Sequence, residues 1–370
     1  MPRQLICLDS GRLRTHNISV KKLSAVVALG LLLSVAHDAG AAGQAWWQLG
    51  YRPAPPSIPG LMEPAWTTRQ PERFKLHFMG FYQVKRNPSA EHVRIWLPLP
   101  ADDGYQTVYL FRVEPAPARI ITSRYGYRIA EFDFGVLPAR SAVTVQFDAE
   151  ATIGLYPGAV NPSRVGTLDQ IPQQIKDDYL VDGPMYKIHD RIIVDAAREA
   201  VGDETNPARM MGRIAWWVRH HLRYAPNNPR KSAPAALEAG HGTCTEFSFA
   251  MVALARSLGL PARYLAGSPD RRRLFQSSAN DHNSFHKIVE VYLPGLGWTP
   301  VESSSGRSDR LPEELVGWAT RRMFIFVHEP EPNLFPLDPR YNVTTFVPFG
   351  VGSRLEISRN ENLQWSKTDQ

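Results

Sequence analysis

One cysteine before an apolar helical stripe, one histidine opening a strand and one glutamate closing the next strand are the residues whose types and order could do chemistry together. Cys244 lies in Gly242-Thr243-Cys244-Thr245-Glu246, and Phe247, Met251, Leu254, Ala255 and Leu258 follow at helical spacing. That pattern predicts a helix beginning at Cys244 and stopped by Gly259 and Pro261. Backbone N–H groups and the dipole at a helix N-terminus favour an anion, which biases a thiol placed there toward thiolate. Gly242 lets the chain turn into the helix without a Cβ clash. Taken alone, Cys244 reads more readily as a small buried residue. A thiolate nucleophile also needs a group that takes its proton and returns it to a leaving amine, and imidazole titrates in the right range. His286 opens a strand after a polar loop; His282 is a rival that spacing does not rank below it. An imidazole in that role needs an acceptor on its other nitrogen. Glu302 stands where hairpin geometry brings it near His286, across a turn at Gly295-Leu296-Gly297.

The surrounding pattern supplies elements to carry these groups. Phe74, Leu76 and Phe78 alternate with Lys75 and His77, and Val143, Val145 and Phe147 alternate with Thr144, Gln146 and Asp148. This is the period-2 signature of half-buried strands. Short β-prone runs (VRIWLPL, YQTVYLFRV, YRIAEFDF) lie between them, so an antiparallel sandwich is expected over residues 73–160. A Pro/Gly-containing linker over 161–184 leads to helices starting near Ile193 and spanning about Ala208–Leu222. Strands at His286–Leu293 and Trp298–Val301 form the hairpin, and residues 306–370 read as a β-rich extension with strands near Met323–Val327, Val343–Val347 and Leu355–Ser358.

Two segments resemble the transglutaminase-like superfamily. GTCTEFSFAMVALARSLGLPARYLAG is similar to its Cys-bearing helix and the strand that follows, and FHKIVEVYLPGLGWTPVESS to its His strand, Gly-Trp turn and terminal carboxylate. The similarity covers residues 185–305 and implies Cys244 as nucleophile, His286 as base and Glu302 as orienting acid. It sets His282 aside. It implies an α+β, papain-like core of helices on an antiparallel sheet, preceded by the small sandwich. Two positions depart from the family pattern: Ile288 stands where an aromatic is common, and Glu302 where Asp is usual. The expected oxyanion donor is the backbone N–H of Cys244; the sequence does not fix a side-chain donor, although Tyr224 lies upstream.

Composition restricts the context. Arg12, Arg14, Lys21 and Lys22 precede the apolar run Leu23–Val35, and Ala39-Gly40-Ala41-Ala42 offers a small-residue cleavage site, so residues 1–42 read as a secretory signal and 43–72 as an irregular lead-in. The apolar run falls short of the ~20 residues of a membrane span, so cleavage near Ala41 or Ala42 is favoured, with an uncleaved membrane anchor as the alternative. The expected location is periplasmic or secreted in a bacterium, with no stable membrane insertion once the signal is cleaved. Removing 1–42 takes away five basic and two acidic residues, so the formal charge falls from +6 to +3. That leaves little support for a nucleic-acid partner. Cys7 leaves with the signal, making Cys244 the single thiol of the mature chain. A thiol-redox role then lacks a resolving cysteine.

Other signals are weaker. His282 and His286 have the i, i+4 spacing of a zinc pair, but their segment reads as loop then strand and offers no third ligand; no metal and no cofactor is expected. Arg271-Arg272-Arg273 precedes His286 and could steer an acidic substrate or simply be solvated. The sequence leads to an exported cysteine-dependent acyl-transfer enzyme acting on amide bonds of envelope peptides or proteins through a thioester. Hydrolysis by a peptidase or amidase is favoured over cross-linking. The competing reading is an envelope binding or assembly module that kept the fold and lost turnover, motivated by Ile288 and Glu302. Oligomeric state is not fixed by the sequence.

Overall fold

The first strand, β1 (Arg69–Arg86), carries the alternation read from sequence: Phe74, Leu76 and Phe78 are buried, while Lys75 and the intervening polar residues face outward. In the computed structural model, the described residues are 69–122, 128–156, 158–225, 231–270, 285–304, 310–319, 322–328, 345–346 and 354–368. The signal-like segment, most of the lead-in, the Arg271–Arg273 run and His282 lie outside them. β1 is followed by β2 (His92–Leu99), β3 (Gln106–Glu114), β4 (Arg119–Thr122), β5 (Arg128–Val136) and β6 (Ala142–Leu155). Helices α1 (Gln173–Tyr179), α2 (Arg191–Val201) and α3 (Pro207–His221) come next. Then follow β7 (Arg223–Tyr224), α4 (Ala233–Ala239), β8 (His241–Gly242), α5 (Cys244–Ser257), β9 (Ala262–Pro269), β10 (His286–Leu293) and β11 (Gly297–Val301). The chain closes with β12 (Met323–His328), β13 (Thr345–Phe346) and β14 (Glu356–Lys367).

The strands form antiparallel sheets in the orders β14-β1-β6-β3, β13-β2-β5-β4 and β11-β10-β9-β12, with a small parallel pair β7-β8. The first two sheets share an apolar cluster that includes Phe78, Phe147, Ile95, Leu97 and Phe132. Phe78 stacks on Phe147 with centroids 5.0 Å apart, and Phe147 also meets Phe326 of β12 at 5.7 Å. One core therefore runs from the sandwich into the sheet that bears His286. The architecture is α+β, as the sequence predicts.

The C-terminal strands do not form a unit of their own. β12 pairs with β9, β13 with β2, and β14 runs along β1, where Tyr82 Oη donates to Glu361 at 3.0 Å. The segment read as a linker contains α1, whose Ile175 and Tyr179 pack with Tyr292 and Trp298 beneath the β10–β11 hairpin. A seven-residue helix carries too few periodic positions to stand out from a Pro/Gly-rich stretch.

Helix boundaries follow local chemistry. Asn206 caps α3 by accepting from Ala208 and Arg209, with Pro207 at the first helical position. Gly259, at φ +76°, follows α5, and Gly295 and Gly297, at φ +85° and +77°, turn the hairpin, a backbone region in which other L-residues are strained.

The sandwich is tied to the β11-β10-β9-β12 sheet by a buried polar chain. Tyr105 Oη donates to Glu290 of β10, whose other oxygen accepts from Arg263 Nε at 2.7 Å. Arg263 also donates to Tyr179 Oη at 3.0 Å and lies 4.1 Å over the Trp298 ring. Gln106 makes a two-way bridge to Ile325 of β12, at 2.9 and 2.8 Å. Among the described residues no helix is long and apolar enough to cross a membrane.

Candidate active site

Cys244 is the first residue of α5, and the turn before it is locked by a capping box. Thr243 Oγ1 accepts from Thr245 N at 3.3 Å, while the Glu246 carboxylate accepts from Thr243 N at 2.8 Å and from Thr243 Oγ1 at 2.6 Å. These bonds satisfy N–H groups that a helix start leaves open. The approach is also fixed: β7 and β8 pair in parallel, and Ala225 N donates to Gly242 O at 2.9 Å. A Cβ on Gly242 would meet the Glu246 Cβ at 2.4 Å. The glycine is thus required by the close approach of the capping glutamate.

α5 is almost wholly interior; Thr245 through Arg256 are buried. Such a helix presents its N-terminus, and little else, to the site. The Cys244 residue itself is partly exposed and is free of any disulfide.

His286 and Glu302 meet across the hairpin. The register pairs Val289 with Val301, and one further step sets Glu302 opposite Ile288. On that face the diagonal neighbour of Glu302 is His286. His286 Nε2 lies 2.7 Å from Glu302 Oε1, with Glu302 1% and the His286 side chain 13% exposed. The longer glutamate still reaches the ring. With Nε2 committed, Nδ1 is the nitrogen left for the Cys244 thiol, to which His286 is hydrogen-bonded. The Glu302 backbone is held as well, its carbonyl lying 3.5 Å from Arg219 Nη1 of α3. Ser303 Oγ donates to Lys287 O at 2.7 Å.

The electrostatics follow from this packing. Burial alone would raise the Cys244 thiol pKa, but the His286 hydrogen bond and charge, with the Lys287 backbone N–H and ammonium, bring it below the ordinary value. For His286, burial alone would lower the pKa; the Glu302 carboxylate and the bonds to Cys244 and Glu302 outweigh it and raise it to about 10. The two shifts agree in direction. Each favours a thiolate beside an imidazolium.

The structure brings together all three residues singled out in the sequence. Tyr224 sits on β7 opposite Gly242, just before the nucleophile's helix, and is 52% exposed. Ile288 is fully buried with Tyr105, Tyr156, Leu265 and Ile325, so the departure at this position is absorbed by packing between the β9–β12 sheet and the sandwich. Two neighbours of the site escaped the sequence reading, Arg219 and Lys287. Lys287 left a signal: it shares the inward face of β10 with Val289 and Val291, an apolar face on which a lysine is out of place.

A separate recess of about 320 Å³ lies between α2 and α3, lined by Trp216, Trp217, Arg213 and Glu199. Its polar groups are engaged with each other, Trp217 Nε1 with Glu199 at 3.1 Å and Arg213 with Val201 O at 2.7 Å. Among the described residues no cluster of His, Cys, Asp or Glu could hold a metal ion.

Comparison with known proteins is consistent with this geometry. Residues 194–303 match the profile of the transglutaminase-like superfamily. An uncharacterized protein of Haemophilus influenzae is 28% identical over 256 residues, covering 61% of this chain and 67% of the relative. The uncharacterized protein YebA of Bacillus subtilis is 38% identical over 71 residues, covering 18% of this chain and only 10% of the relative. The crystal structure of a candidate cysteine protease from Cytophaga hutchinsonii superposes with a TM-score of 0.59 at 14% identity, over 82% of this chain and 93% of that one. At that identity the likeness speaks for a shared fold.

Proposed function

We propose, for a chain that belongs to the transglutaminase-like superfamily through residues 194–303, an exported cysteine-dependent enzyme that transfers acyl groups from peptide or protein amides, chiefly to water. The observation that carries this reading is the 2.7 Å contact between His286 Nε2 and Glu302 Oε1, with the same imidazole hydrogen-bonded to Cys244 at a helix N-terminus.

In this mechanism the Cys244 thiolate attacks the amide carbonyl carbon. The developing oxyanion is held by the Cys244 backbone N–H at the start of α5. The imidazolium of His286 gives its proton to the leaving nitrogen, the C–N bond breaks, and a thioester remains on Sγ. Neutral His286 then takes a proton from water as it attacks the thioester. The carboxylic acid departs and the electron pair of the C–S bond returns to sulfur. An amine in place of water would give cross-linking by the same steps. Glu302 keeps the ring oriented and stabilises its charged form, as the acid of such triads does. Export and an envelope substrate are supported by the signal-like residues 1–42.

The test is the pH dependence of Cys244 alkylation, with Cys7→Ser removing the other thiol, followed by a screen of amide substrates against wild type and Cys244→Ala. Rapid labelling well below the ordinary thiol pKa of about 8.5, slowed in His286→Ala, and amide cleavage lost in Cys244→Ala are expected. Labelling only near the ordinary thiol pKa, indifferent to His286, would leave the binding-module reading as the better account. The retained Glu302 contact and the packed Ile288 weaken the two grounds on which that alternative rests.

A further inference from the structure

Lys287 is wholly buried, next in sequence to His286, and it shares its face of β10 with the apolar Val289 and Val291. Its ammonium lies 4.7 Å from the centroid of the Tyr264 ring and 5.3 Å from that of Phe249. Phe249 belongs to α5, five residues beyond Cys244, and Tyr264 to β9. The Lys287 backbone is pinned on both sides. Its N–H is hydrogen-bonded to the Cys244 sulfur, and its carbonyl accepts from Ser303 Oγ next to Glu302.

We infer that Lys287 is a positioning residue for the nucleophile: a buried cation, seated on the faces of Phe249 and Tyr264, that stabilises the anionic form of Cys244 through space while its backbone N–H orients the sulfur. The inference rests on the reading of Cys244 as the nucleophile.

Burial of an ammonium costs several kcal/mol even after relaxation. A residue there for packing alone would be expected to match its neighbours, as valine or leucine. The aromatic faces offset part of the cost without neutralising the charge. In that dry surrounding the charge acts on sulfur more strongly than a solvated lysine could. Consistent with this, its charge is among the influences that lower the Cys244 pKa, after burial is outweighed by His286.

The anion recurs in the cycle, as the attacking thiolate and again when the C–S bond breaks and the electron pair returns to Sγ. At that second stage His286 has just taken the proton of the attacking water. Lys287 takes no part in these transfers, so its contribution to the anion does not depend on where that proton stands.

The experiment follows Cys244 alkylation against pH in the full chain with Cys7→Ser, comparing Lys287→Met and Lys287→Gln with Lys287→Arg. Circular dichroism identifies which variants fold. A folded neutral variant is expected to raise the apparent thiol pKa by about one unit, which cuts labelling about tenfold at pH values below the wild-type midpoint; Lys287→Arg is expected to stay near wild type. An unchanged profile in a folded neutral variant overturns the inference, as does a rise of the same size in Lys287→Arg. If neither neutral variant folds, Phe249→Leu, which loosens the seat of the cation, is expected to move the profile the same way by less, and no movement overturns it. Wild type labelling as an ordinary thiol would instead sink the nucleophile itself, so the two failures are distinct.

Discussion

Glu302 and His286 form a pair in which each side chain is fitted to the other. The 2.7 Å contact is made by a glutamate at a position where the related family usually has aspartate. Reverting to the usual residue should therefore harm this protein. Glu302→Asp shortens the side chain by one methylene and draws the carboxylate away from Nε2; kcat/KM should fall roughly tenfold, corresponding to about 1.4 kcal/mol of transition-state stabilisation. Wild-type activity in the Glu302→Asp variant would show that orientation of the ring does not depend on this contact. The same pair sets the pH profile. The imidazolium is held up to about 10, and the thiol is held below its ordinary value. Activity should rise on the acid side as the thiolate forms and decline as pH approaches about 10, where His286 loses its proton. Glu302→Gln removes the charge that raises the His286 pKa, so the alkaline limb should move to lower pH.

The capping box at the start of α5 holds Cys244 as much as it holds the helix. Thr243→Ala deletes one capping acceptor and should cost about 1 kcal/mol of stability, measurable in a urea titration. Gly242→Ala tests the approach rather than the cap. Its Cβ would fall 2.4 Å from Glu246 Cβ, so the glutamate or the turn must shift. The expected outcome is a larger loss of alkylation rate than of melting temperature, since the shift occurs next to Cys244. An alkylation rate equal to wild type would show that the turn adapts elsewhere.

At the scale of the described molecule, the sandwich and the β11-β10-β9-β12 sheet are joined by buried titratable groups whose charges depend on pH. Asp103 accepts from Tyr105 N and Gln106 N at the foot of β3 and lies 3.3 Å from His328 of β12. Burial raises its pKa to about 8, against 3.8 in an ordinary setting, despite the two backbone bonds that oppose the rise. Burial, with the nearby Arg263 charge, lowers His328 well below its usual range. At neutral pH the contact is therefore a carboxylic acid facing a neutral imidazole rather than an ion pair. A raised carboxyl pKa contributes stability that is full below the unfolded value and is lost as pH rises through the folded value. His328 is neutral in both states above its unfolded pKa of 6.5, which leaves Asp103 the group to watch between about pH 7 and about 8.5. Unfolding free energy should fall by roughly 1 kcal/mol across that window, and Asp103→Asn should remove most of the fall. An equal fall in both proteins would assign it to other groups.

The sequence by itself singled out Cys244, His286 and Glu302 as candidates and located the elements under them. The helix start at Cys244 was legible because a helical stripe and a Gly-Thr start are local signals, and the approach of the His286 and Glu302 strand ends because a glycine turn fixes which ends meet. The strands of the sandwich were legible through their period of two. What lies far apart in the chain was not. β14 lies along β1 from the opposite end of the described chain, and their pairing depends on complementary edges that no local pattern records. α1 is short and gains its stability from Tyr292 and Trp298, which come from the hairpin above it. The distinction between His282 and His286 needed a resemblance, because spacing along a chain does not say which ring reaches a helix terminus. The burial of Lys287, against α5 and β9, and of Asp103, against β12, was decided only by elements distant in the chain packing together, and with it the pKa of Asp103. Periodicity is a property of one element. The dielectric around a charge is a property of everything packed upon it.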